Sequence, residues 1–120
     1  MVNERRTILF HNNKTVIFLD HSNLSGAEYV RVVEQSKLMA ENSDIANRLI
    51  MVDVTGSVVD KAVLRALKSL TAGSAGRISK IALLGTTGLQ TFFTQTLSLV
   101  SKTNIKPFKN REDALEWLTS

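Results

Sequence analysis

Two four-residue runs, Leu49-Ile50-Met51-Val52 and Ile81-Ala82-Leu83-Leu84, are apolar without interruption and stop at Asp53 and Gly85. A strand with one wet face alternates polar and apolar residues, whereas an unbroken run of this kind suits a strand covered on both faces. A chain with two such strands must supply helices to cover a sheet on both sides. The segments between the runs do so. Ser25 and Glu28 stand at capping-box spacing, with Leu24 and Tyr29 placed as a hydrophobic staple around them. Tyr29, Val32, Val33, Ser36, Met39 and Ala40 then recur at helical period until Glu41-Asn42-Ser43-Asp44. A second helix places Val59, Val63, Ala66, Leu67 and Leu70 on one stripe and Lys61, Arg65 and Lys68 on the opposite one. Thr71 to Gly76 reads as a small-residue loop.

The flanks complete the pattern. Thr7-Ile8-Leu9-Phe10 and Thr15-Val16-Ile17-Phe18-Leu19 are β-branched and aromatic runs around His11-Asn12-Asn13-Lys14, which is hairpin chemistry. Thr87 and Gln90 offer another capping box, and Leu89, Phe92, Phe93, Leu97 and Val100 continue at helical spacing. Ile105-Lys106-Pro107-Phe108 predicts a last strand at an edge, since proline cannot donate to a ladder. Asn110 caps a final helix carrying Ala114, Leu115, Trp117 and Leu118. The expected architecture is α/β: one domain over residues 1–120 with a mixed β-sheet in the order ββαβαβαβα. The alternation implies parallel pairing with right-handed crossovers, plus one antiparallel hairpin.

Composition narrows the function classes. The chain has no cysteine and two histidines, which removes disulfides, thiolate catalysis and cysteine zinc sites and leaves no histidine-rich metal site. No metal or cofactor is expected. No apolar run reaches the length of a membrane span, and the polar start leads into too short an apolar stretch for a secretion signal, so a cytoplasmic location is expected. Nine Lys or Arg residues and no acid fall between Lys61 and Arg111. The plain reading is a solvated basic surface; the sharper one is a face for an anionic partner, whether an acidic protein, a phospholipid headgroup or a nucleic acid. Nucleic acid is the weaker choice, because no motif and no basic–aromatic interleaving accompany the charge.

Ligands of open α/β sheets gather outside the carboxyl ends of the strands. Here those ends read Asp20-His21-Ser22, Asp53-Val54-Thr55-Gly56-Ser57 and Gly85-Thr86-Thr87-Gly88. Helix N-termini there suit an anion, although Ser, Thr, Asp and Asn are equally the residues that cap helices. Gly-Thr-Thr-Gly lacks the Gly-Lys-Ser/Thr ending of a phosphate loop. His21 beside Asp20 and Ser22 is the one cluster with catalytic residue types, but neighbours on a strand point to opposite faces, so no catalytic residue is assigned. The candidate ligand or partner surface comprises Asp20, His21, Ser22, Asp53, Thr55 and Ser57 at the strand ends. Lys61, Arg65 and Lys68 on the second helix and Thr86 and Thr87 after the fourth strand complete it.

Asp53, Thr86 and Lys106-Pro107 resemble the phosphoacceptor, switch and lysine–proline positions of response-regulator receivers. The acidic pair and the second βα unit of receivers are missing. A second resemblance spans about Thr7 to Leu118. Met51-Val52-Asp53-Val54-Thr55-Gly56-Ser57-Val58-Val59-Asp60, the stretch Leu19 to Leu24 and the tail Ile105 to Leu118 are similar to SpoIIAA-like proteins of the STAS superfamily. The resemblance implies a non-enzymatic regulatory or binding module, of the kind that antagonises anti-sigma factors. In those antagonists a serine at the start of the second helix is phosphorylated and switches partner binding off. Lys61-Ala62-Val63 stand in its place here, with Ser57 the nearest hydroxyl upstream. The fold also resembles lipid-transfer domains, so a small lipid or hydrophobic-ligand carrier is the alternative expectation, with peripheral contact to anionic lipid. Self-association through a sheet edge or a helix flank is a further expectation.

Overall fold

The computed structural model describes residues 5–41, 49–73, 78–87 and 104–120. Five strands form one sheet in sequential order: β1 (Arg6–His11), β2 (Lys14–Asp20), β3 (Leu49–Asp53), β4 (Lys80–Leu84) and β5 (Asn104–Phe108). β1 and β2 are antiparallel, and the remaining neighbours are parallel. Three helices are described: α1 (Gly26–Glu41), α2 (Lys61–Gly73) and α3 (Arg111–Leu118). The helix expected over Leu89 to Val100 lies outside the described residues.

The hairpin is tighter than the sequence implies. His11 and Lys14 are a ladder pair, leaving only Asn12 and Asn13 in the turn, with φ of 49° and 63°. Two successive left-handed residues define a type I′ turn, which matches the strand twist, and asparagine tolerates that region well. The turn is tied down at 3.1 Å by Asn12 Nδ2 donating to Thr119 Oγ1 and by the His11–Glu116 pair at 2.9 Å.

Period-two alternation assigns each strand residue to one of two cores. Ile17, Leu19, Ile50, Val52 and Ile81 line one face, with Leu83 and Ile105 packed beside them. Val16, Met51 and Ala82 line the other and meet Ala114 and Leu118 of α3. The apolar runs are thus covered on both sides, as their continuity requires. α1 and α2 pack on each other through Tyr29, Val32, Val33 and Val63, with Leu24 at the entrance to α1. Right-handed crossovers carry both helices to the face opposite α3.

Helix ends follow local chemistry. Asp60 Oδ1 accepts the Val63 N–H at 2.9 Å and starts α2, and Asn110 Oδ1 accepts the Asp113 N–H at 2.8 Å and starts α3. α2 runs three residues beyond Leu70, into the stretch that reads as loop in the sequence. Pro107 lies on β5, an edge strand, as its missing N–H demands. Among the described residues no helix is long and apolar enough to cross a membrane.

Candidate functional site

The carboxyl ends of β2 and β3 are built alike. Asp20 Oδ1 accepts the Ser22 N–H at 3.0 Å and the Ser22 hydroxyl at 2.5 Å. Asp53 Oδ1 accepts the Thr55 N–H at 2.9 Å and the Thr55 hydroxyl at 2.6 Å. The two aspartates are register partners, so the same turn device is repeated on adjacent strands. Arg5 joins the first: its Nη1 donates to the Asp20 carbonyl at 3.0 Å and lies 3.9 Å from the carboxylate. Partial burial works to raise the Asp20 carboxyl, but the Ser22 hydrogen bonds and the Arg5 charge outweigh it and hold it below its ordinary value.

Below this row the loops are stitched together. The His21 N–H donates to the Asp53 carbonyl, and the Asn23 N–H to the Thr55 carbonyl, both at 2.8 Å. The Ser57 hydroxyl donates to the His21 carbonyl and accepts the Leu24 N–H at 2.9 Å. The Val58 N–H then donates to the Leu24 carbonyl. Gly85 closes the row from β4: at φ +76° its Cα faces Thr55 so closely that a Cβ would sit 2.9 Å from the Thr55 Cα.

His21 and Ser57 are therefore not part of the solvent surface to which sequence reasoning assigns them. The imidazole is 1% exposed, packs edge-on against Tyr29 at 5.5 Å, and brings Nε2 within 3.4 Å of the Ser36 hydroxyl. Burial first, and Arg5 second, push its pKa down to about 4 against the opposing charge of Asp20. Burial likewise raises the Tyr29 phenol to about 12. The hydrogen bonds of His21 to Asp53 and Ser57 run through its own main-chain N–H and C=O, while the ring faces Tyr29 and Ser36. Among the described residues no three His, Asp or Glu side chains stand close enough to hold a metal ion.

Asp20, Thr55 and the capping Asp60 keep solvent exposure, and the surface beyond the cap is cationic and apolar. Lys61 occupies the first position of α2 and Arg65 the next turn, both exposed, with Lys68 half-buried beyond them. α2 contains no acidic residue. Val58, two residues ahead of the Asp60 cap, is 59% exposed. Sequence reasoning missed it, because an apolar residue just before a helix reads as packing; its neighbour Val59 does pack inward. Beyond β4, Thr86 helps line an open cleft of about 460 Å³ with Gly85, Pro107, Phe108 and Lys109, and Thr87 is exposed.

The comparisons with known proteins agree with this fold. A family model described as SpoIIAA-like matches residues 16–119. The chain belongs to the SpoIIAA-like family. A solved structure with a SpoIIAA-like fold, an uncharacterised DUF3478-family protein from Shewanella loihica PV-4, superposes with a TM-score of 0.68. It shares 16% identity, over 94% of this chain and 91% of that one, so the likeness is one of fold. Among curated proteins none matches. Within this SpoIIAA-like fold the strand-end row and the start of α2 adjoin through the Ser57–Leu24 and Val58–Leu24 hydrogen bonds.

Proposed function

We propose that this SpoIIAA-like chain is a non-enzymatic binding module that docks an anionic protein partner on the surface running from Val58 along α2. The observation that carries the reading is an exposed apolar residue beside exposed Lys61 and Arg65, on a helix without a single acid. An apolar anchor with a cationic rim gives a partner both burial and electrostatic steering. The strand-end row supplies rigidity: its side-chain oxygens are held in turns, and its loops are cross-linked by the buried Ser57 hydroxyl. Lys61 stands where the family resemblance places a phosphorylated serine, so docking here is permanently receptive to anions rather than switched off by a phosphate at that position.

The test is affinity capture from the host with three baits: the wild-type chain, Lys61→Glu/Arg65→Glu, and Lys109→Glu/Arg111→Glu as a control of equal charge change. The expected outcome is a protein retained by the wild type and the control, lost from the α2 variant and released as salt rises. The purified partner should then bind the purified chain with the same dependence. Capture unaffected by the α2 reversal contradicts the reading. Binding instead to anionic phospholipid vesicles, with the same dependence and no protein retained, replaces it with the lipid-sensor alternative.

A further inference from the structure

The two edges of the sheet are not equally protected. β5 carries Pro107 and Lys106, both of which discourage pairing with another strand. β1 carries neither proline nor lysine, and its register with β2 runs without a bulge from Arg6 to His11. The type I′ turn makes His11 and Lys14 a hydrogen-bonded pair, and the Arg5 carbonyl accepts the Asp20 N–H at 2.7 Å. Because such pairs alternate, residues 5, 7, 9 and 11 bond inward to β2, and Arg6, Ile8 and Phe10 direct their main-chain N–H and C=O outward. The side chains of those same three residues share one face, on which Phe10 is 72% and Ile8 47% exposed.

We infer that β1 pairs with β1 of a second copy of this chain, antiparallel across a two-fold axis at Ile8, to form a ten-stranded sheet. A two-fold axis normal to the sheet requires partners on the same face, which puts Ile8 opposite Ile8 and Arg6 opposite Phe10 of the second copy. This register uses all three outward-bonding residues of each strand; sliding it by two leaves one of them without a strand partner. It also sets the cation of Arg6 against the exposed ring of Phe10, twice by symmetry. The strand is thus complementary to itself in hydrogen bonding, in apolar contact and in charge against aromatic face. The surface is separate from the α2 surface, and the inference stands whether or not that reading does.

The test is sedimentation of the full chain from low micromolar to several hundred micromolar, with Phe10→Lys alongside. The wild type should move from 13.3 kDa to twice that mass with concentration. Phe10→Lys, which sets lysine against Arg6 of the second copy, should weaken association by at least about tenfold while keeping the wild-type circular dichroism and, at low micromolar concentration where both are monomeric, the wild-type melting temperature. The chain has no cysteine, so single cysteines report the register cleanly. Across a hydrogen-bonded pair the Cα atoms lie about 5.5 Å apart, within disulfide range. Ile8→Cys should therefore give a covalent dimer on mild oxidation, and Val58→Cys, at a more exposed position, should not. A wild type that stays at 13.3 kDa throughout overturns the inference. So does a dimer indifferent to Phe10→Lys, or cross-linking at Val58 as ready as at Ile8.

Discussion

His21 lies under the carboxyl edge with its ring against Tyr29 and Ser36 and its main chain held by Asp53 and Ser57. Its folded pKa of about 4 lies below the ordinary 6.5. Between those values the unfolded chain takes up a proton that the folded chain refuses. The associated stability is fully present above pH 6.5, falls as pH drops through the window, and is gone below about 4. At about 1.4 kcal/mol per decade of pKa difference, the loss amounts to about 3 kcal/mol. Urea unfolding at pH 7.5 and at pH 4.5 should show most of that decrease. His21→Phe, which keeps an aromatic ring against Tyr29, should show a much flatter profile over the same interval. The residue types at this edge are legible in the sequence, but their depth is not. Asp, His and Ser after a strand read as surface chemistry, and only tertiary packing, of α1 on His21 and of the His21–Leu24 loop on Ser57, decides that both are interior.

At the scale of elements, the strands and the helix faces follow from patterning. Leu49 to Val52 and Ile81 to Leu84 are central because nothing in them tolerates water, and β5 is an edge because of Pro107. Asn110 is legible as a cap because it precedes a turn rich in acids, Glu112 and Asp113. The start of α2 is harder to see. Val59 keeps step with Val63 and packs into the same cluster although it precedes the helix, so apolar periodicity overshoots the Asp60 cap. Asp60→Ala should cost about 1 kcal/mol of stability in urea unfolding, and Asn110→Ala a similar amount. Asp60→Ala also removes an anion next to Lys61. On this account it leaves partner capture intact or strengthens it, which separates the cap's structural role from the docking role of the cations.

Across the whole molecule, the described basic residues of the 61–111 run divide between two sides of the sheet. Lys80 donates to the Trp117 carbonyl at 2.8 Å, Lys106 sits 5.5 Å over Phe108, and Arg111 sits 4.7 Å over Phe18, all on the α3 side. Lys61 and Arg65 stand on α2, behind the opposite face of the sheet. Linear charge counting has no access to that division, because successive elements of a crossover fold alternate between layers. The division is why the α2 cations rather than the whole run carry the functional reading: those on the α3 face already serve α3 and its aromatic contacts. The measurement that tests this most directly is amide hydrogen exchange on the chain alone and in complex with its captured partner. Protection confined to the segment from Val58 to Lys68 and the adjoining strand-end loops is the predicted result. Protection on α3 or β5 with α2 unchanged would contradict it.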